Sequence, residues 1–190
     1  MKTTQPIRKK QDIRKLAEYY LNLGEIRNHV LIVMACYTAL RISDLLRLKW
    51  DDVYDFKRHR VLSSISITEK KTKKSKIIAV NKKVVKALML FIPNNAQQGK
   101  FIFENSRTKK PISRIQAYRL IRGAADALSF DFHVSCHSLR KSFGYRAYKS
   151  GKSLAVIMNI YNHSSIAVTM RYLGITQDEI NKVYLNIELM

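Results

Sequence analysis

The stretch HSSIAVTMRYLGI (163–175) sets a histidine nine residues ahead of a tyrosine that follows an arginine, and HSLRKSFG (137–144) sets a histidine three residues ahead of another arginine. Helical residues three apart share a face, so His137 and Arg140 can aim at one anionic group. Arg41 lies at the joint between two helical patterns. Each residue also has a plainer reading: Arg41 capping a helix C-terminus, His137 filling a first helical turn, Tyr172 packing inward with Leu173.

Other chemistries are poorly supported. His133, Cys136 and His137 in HVSCH offer ligand atoms, yet no second cluster follows at zinc spacing, so no metal is expected. GKS at 151–153 ends like a phosphate-binding loop, but the position that needs its first glycine holds Arg146, so no nucleotide cofactor is expected. A G-x-S-x-G elbow for serine acyl transfer is missing.

Lys and Arg number 35 against 14 Asp and Glu, a net charge of +21, which makes a polyanion the expected partner. Nucleic acid leads. A membrane surface fits less well, because the basic residues run through a loop-rich centre and there is no lipidation motif. The longest apolar run, VLIVMACYTAL (30–40), is too short to span a bilayer and reads as a buried helix. A hydrophobic content of 46% indicates a folded globule rather than a basic tail. Cys36 and Cys136 lack CxxC partners and suit a reducing, cytoplasmic setting.

Several elements must position these residues. Ile13, Leu16, Ala17, Tyr20 and Leu21 recur at helical spacing, and Gly24 stops that helix. After the buried run, Ser43 is expected to cap a helix that turns Leu45, Leu46 and Leu48 inward. VLSSISIT (61–68) alternates as a strand, and SKIIAV returns after EKKTKK, which predicts a β-hairpin with a lysine-loaded turn. Between 56 and 86 there are eleven Lys or Arg and one acid. Such a run is often a solvated face, but Lys70, Lys71, Lys73, Lys74 and Lys76 also suit a phosphate backbone. Asn81 is expected to cap the next helix, and PNNAQQGK and SRTKKP read as loops. Further helices are predicted from Ser113 to about Ser129, from His137 to Gly151, from Ser153 to Tyr161 and from Ser165 to about Leu173, and a last one is predicted near 177–189. That last helix carries Ile180, Val183, Tyr184 and Ile187.

Four stretches, in order, resemble the boxes of the tyrosine recombinase, or phage integrase, family. ALRISDLLRLKWDDV resembles its first arginine box, KKTKKSKIIAV its hairpin lysine segment, HSLRKSFG its His-x-x-Arg box and NHSSIAVTMRYLGI its histidine-to-tyrosine box. Two departures are visible: Asn162 stands where glycine is common, and Lys141 where histidine is common. The resemblance implies a mostly helical catalytic domain with a small β-hairpin or short antiparallel sheet. It implies Arg41 and Arg140 as phosphate-binding arginines, His137 and His163 as the histidines, Tyr172 as nucleophile and Lys71 as the hairpin lysine, with Lys70, Lys73 and Lys74 as competitors for that last place. Lys70, Lys73, Lys74, Lys76 and Lys141 are expected to contact DNA.

On this resemblance the expected function is site-specific cutting and rejoining of double-stranded DNA through a 3′-phosphotyrosine, without cofactor or metal. A type IB topoisomerase and a non-cleaving DNA-binding regulator on the same fold are the alternatives. The family implies a homotetramer on DNA, with a C-terminal helix docked on the neighbouring protomer, in a bacterial or phage-derived, nucleoid-associated setting. About forty residues precede Arg41, so residues 1–190 read as one catalytic domain without a core-binding or arm-binding domain ahead of it.

Overall fold

The computed structural model describes residues 4–95 and 100–188. Helices α1 (Lys10–Asn22) and α2 (Ile26–Tyr37) are joined at Gly24, whose φ of +73° lets the chain reverse. α2 is buried nearly all round, from Asn28 to Cys36, and packs against α1, α4 (Lys82–Asn95) and α6 (Cys136–Lys149). A helix apolar on every side belongs at a centre. α5 (Arg114–Ala127) lies against both α1 and α6. The remaining helices, α7 (Leu154–Tyr161), α8 (Ile166–Leu173) and α9 (Gln177–Asn186), follow α6, and α7 and α8 pack on it around a second small core of Ala39, Ile157, Tyr161 and Leu173.

The short α3 (Ile42–Leu45) begins two residues earlier than expected. Arg41, not Ser43, is the N-cap: it is extended at φ −67° and ψ 143°, and its carbonyl accepts from Asp44 and Leu45 N–H. Ser43 falls inside the first turn. Because the cap makes no side-chain bond, the Arg41 guanidinium is free to reach elsewhere.

The expected strand at 61–68 is two strands. Arg60–Val61 (β2) pairs with Tyr54–Asp55 (β1), and Ser64–Thr68 (β3) pairs antiparallel with Ser75–Ala79 (β4) in the register Ile65↔Ile78 and Ile67↔Lys76. Cross-strand partners share a face. Lys76 therefore lies on the same side as the buried Ile65 and the half-buried Ile67 and Ile78, while Ser66 and Ile77 face out. The turn closes through Glu69 N–H to the Lys74 carbonyl at 3.0 Å and Lys73 N–H to the Glu69 carbonyl at 2.9 Å.

The expected cap at Asn81 accepts a backbone N–H within three residues, and so do Ser113, Ser153 and Ser165, where helices were expected to begin. The loop expected from Pro93 opens instead as the end of α4, which runs to Asn95; residues 96–99 lie outside the described residues. The side chains of Ile180 and Val183 on α9 also lie outside them, whereas Tyr184 and Ile187 are exposed. Among the described residues no helix is long and apolar enough to cross a membrane, and no group of three or more His, Cys, Asp or Glu could hold a metal.

Candidate active site

α6 supplies two of the expected residues and the loop before α8 a third. Ser135 caps α6, so His137 sits in its first turn and Arg140 one turn on, with His137 partly open to solvent and Arg140 only 3% exposed. Ser165 caps α8, which carries Tyr172 in its last turn beside the fully buried Leu173; Gly174 ends the helix at φ +69°. His163 precedes that cap, with Nδ1 3.1 Å from Thr169 Oγ1.

One residue that the sequence did not single out holds this cluster together. The buried Tyr161 hydroxyl donates to the Arg140 carbonyl at 2.7 Å and accepts from Gly144 N–H at 2.8 Å, spanning one turn of α6. Its ring lies 5.0 Å from the Arg140 guanidinium, stacks on His163 at 5.2 Å and meets Tyr172 at 5.1 Å. Gly144 makes this approach possible, since a methyl group there would lie 2.5 Å from Tyr161 Cε2 and 2.6 Å from Leu173 Cδ2. An exposed helical Gly→Ala exchange gains about 1 kcal/mol. Here overpacking outweighs that gain, and Gly144→Ala should destabilise the fold by about 1–3 kcal/mol in denaturant unfolding; equal or greater stability would show that the contact yields freely.

Arg41 reaches the same place from the other side. Its Nη1 donates to Glu69 Oε2 at 2.7 Å, with 20% of the arginine side chain left exposed. The same oxygen accepts from Thr72 Oγ1 at 2.7 Å and Asn162 Nδ2 at 3.0 Å. Burial pushes the Glu69 carboxyl up, but the bonds from Thr72, Arg41 and Asn162 prevail and hold it below its usual value. Asp44, also buried, accepts Lys70 N–H at 3.0 Å and so ties α3 to the hairpin turn. The charge pattern carried a signal for Glu69, which is the one acid among eleven cations.

The hairpin lysines divide. Lys70, Lys71, Lys73 and Lys74 are exposed on the turn, and the charge of Lys71 is felt at His137. Lys76 points inward instead: its Nζ donates to the Ile160 carbonyl at 2.7 Å, and burial, with Arg140 and Arg41 adding to it against Glu69 and Asp44, pushes it down to about 8. Lys141, expected on DNA, is 5% exposed. Its ammonium donates to the Thr4 carbonyl at 2.7 Å and lies 4.9 Å from the Tyr172 ring centre, so it braces the tyrosine from beneath rather than facing outward.

Arg41, Arg140, His163 and Tyr172 thus come together from three separate stretches of chain, with His137 one turn from Arg140 on α6. Burial and then the charges of Arg140 and Arg41 lower His163; burial, Arg140, Lys141, Arg41 and Lys71 lower His137. Both shifts favour the neutral imidazole. Burial raises the Tyr172 phenol, and Arg140 and Arg41 pull it back. The Tyr172 hydroxyl and Arg140 Nη1 are buried without a hydrogen-bond partner of normal geometry. Orphaned donors of this kind, grouped with imidazoles, suit an oxyanion such as a phosphodiester.

The phage integrase family pattern matches residues 8–179. The chain is 38% identical over 184 residues to the probable integrase/recombinase YoeC of Bacillus subtilis, covering 97% of each. It is 26% identical over 166 residues to the tyrosine recombinase XerD of Mycobacterium tuberculosis, where it spans 84% of this chain but 51% of the relative. Among solved structures, XerA recombinase superposes with a TM-score of 0.77 at 21% identity, over 98% of this chain and 68% of that one. A lambda integrase dimer bound to a COC′ core site gives 0.70 at 18% identity, over 100% and 53%. These structures share the fold, mostly helical with small antiparallel sheets, and the sequence match over nearly the whole length shows that this chain belongs to the phage integrase family.

Proposed function

We propose that this chain is a site-specific DNA recombinase that cuts and rejoins duplex DNA through a 3′-phosphotyrosine. The observation that carries the reading is the placing of Arg140, Arg41 and His163 about the buried hydroxyl of Tyr172, with His137 one turn from Arg140 on α6.

In this reading Tyr172 Oη attacks the scissile phosphorus, and the phosphorus–O5′ bond breaks. His163, whose neutral form burial and the two arginines favour, lies edge-on to the Tyr172 ring at 4.9 Å and takes the phenol proton. Negative charge that grows on the non-bridging oxygens meets two pre-oriented guanidinium groups. Lys71 on the hairpin turn protonates the departing 5′ oxygen. The bond energy stays in the phosphotyrosine link, so a 5′ hydroxyl can reverse the step and exchange strands without a nucleotide. The exposed lysines of the turn, Lys70, Lys73 and Lys74, lie along the DNA backbone. Exchange between two duplexes requires four protomers, and α9, with Tyr184 and Leu185 exposed, is the segment proposed to dock on a neighbour. The relatives are bacterial proteins, which fits a nucleoid-associated role.

Nicked duplexes of randomised sequence, recovered after detergent as protein-linked DNA, test this. We expect a covalent adduct at a 3′ phosphate and binding that weakens steeply with salt, about 0.9 log units of affinity per log unit of salt for each phosphate neutralised. Affinity nearly flat in salt would remove the electrostatic basis. Adduct with relaxation of supercoils but no exchange between duplexes would identify a topoisomerase; binding without adduct on any duplex would identify a regulator.

A further inference from the structure

We propose that Glu69 is a positioning residue that sets the Arg41 guanidinium for catalysis and locks it to the hairpin turn and to the His163 segment. The inference rests on the recombinase reading and extends it to a carboxylate that the reading does not use.

Glu69 is 0% exposed and is the last residue before the lysine turn. Its Oε2 gathers three donors from three parts of the chain: Arg41 Nη1 at the start of α3, Thr72 Oγ1 inside the turn and Asn162 Nδ2 directly before His163. Its Oε1 is buried without a partner. A carboxylate is costly to bury, and removing its partners leaves a charge uncompensated. The arrangement therefore resists rotation of any one donor.

Two physical consequences follow. First, Arg41 commits Nη1 to Glu69, which fixes the guanidinium and leaves its remaining donors for a ligand, in the manner of a pre-organised charge clamp. Second, Glu69 offsets a crowd of cations: Arg41 and Arg140 both depress Lys76, His163 and, together with Lys71, His137. Asp44 is a second buried acid here, but Glu69 is the one bonded to Arg41, and without it that guanidinium would lose its direct counter-charge. Asn162 makes the lock specific. It caps α7 in the left-handed region at φ 54°, a conformation that asparagine tolerates, and that geometry aims its amide at Glu69.

Two altered substrates separate the ways in which Glu69 can act. A methylphosphonate at the scissile position lacks one charged non-bridging oxygen, so a misplaced guanidinium matters less there. A 5′-bridging sulfur leaves without a proton, so a misplaced acid matters less. Glu69→Ala should slow single-turnover cleavage of ordinary DNA by about 100-fold while changing Kd for an uncleavable duplex by less than about threefold. The loss should shrink to about tenfold or less on methylphosphonate and stay unchanged on the sulfur substrate. Asn162→Gly keeps the left-handed cap, removes one donor, and should show the same pattern at about three- to tenfold.

Equal losses on all three substrates would make Glu69 a fold-supporting residue only and overturn the inference. Recovery on sulfur alone would place it on the lysine arm and overturn it too, as would normal cleavage by Asn162→Gly together with Glu69→Ala. Should Glu69→Ala fail to fold, the substrate pattern of Asn162→Gly decides by the same criteria. Absence of adduct from the wild-type chain on every substrate is a different result: it removes the recombinase reading, and this role of Glu69 with it.

Discussion

Tyr172→Phe should abolish the covalent DNA adduct while leaving duplex affinity within about twofold, because the oxygen lost is the nucleophile and the ring retained is what packs. Phenylalanine keeps the contacts with Tyr161 at 5.1 Å, His163 at 4.9 Å and the Lys141 ammonium at 4.9 Å. The lost hydroxyl is buried and faces the Arg140 guanidinium without a hydrogen bond of normal geometry, so its removal gives up little. The variant should therefore be at least as stable as the wild type in thermal unfolding. A second tyrosine lies close enough to be considered. Tyr161, however, is fully buried, its hydroxyl is committed to Arg140 and Gly144, and burial raises its phenol further from ionisation. The measurement is peptide mapping of detergent-resistant adduct. If Tyr172→Phe forms as much adduct as the wild type, the nucleophile lies elsewhere.

The parts of this site that were legible beforehand are those written in local patterns. Helical patterns located the helices that begin after Ser113, Ser153 and Ser165, and alternation with a polar turn located the β3–β4 hairpin. What pattern could not give is what each side chain meets across the fold. Lys76 and Lys74 look alike in a run of cations, yet pairing opposite Ile67 turns Lys76 inward. Lys141 follows Arg140 on a helix and reads as a basic neighbour; only the packing of residue 4 and α8 around it shows an ammonium beneath an aromatic ring. Glu69, Tyr161 and Asn162 act through partners 28, 21 and 93 residues away in sequence, a distance over which periodicity carries no information. Arg41 is the instructive intermediate case. Its place at a helix joint was readable, but that the backbone caps α3 by itself and so leaves the side chain for Glu69 is a matter of two dihedral angles.

Replacing the 5′ bridging oxygen of the scissile phosphate by sulfur should restore Lys71→Ala and leave Arg41→Ala and Arg140→Ala impaired. A thiolate departs without receiving a proton, so a general acid becomes dispensable, whereas charge on the non-bridging oxygens still has to be met. On ordinary DNA, Lys71→Ala should lose about 10²- to 10⁴-fold in single-turnover cleavage, the usual worth of a positioned acid. Lys70, Lys73 and Lys74 share its exposed turn, and replacing each should lower the salt slope of binding by about one unit with little effect on cleavage. Lys76 is the sharper comparison. A value pushed down to about 8 would suit an acid, but its Nζ is held by the Ile160 carbonyl at 2.7 Å, where it joins β4 to the end of α7. Lys76→Ala should therefore be impaired equally on oxygen and sulfur substrates, through lost support of the His163 segment. Rescue by sulfur at Lys76 with normal cleavage by Lys71→Ala would move the acid from the turn to the strand. Rescue at neither would mean that the hairpin only holds DNA, and that the proton comes from an imidazole, with His137, which feels the Lys71 charge, the first to replace.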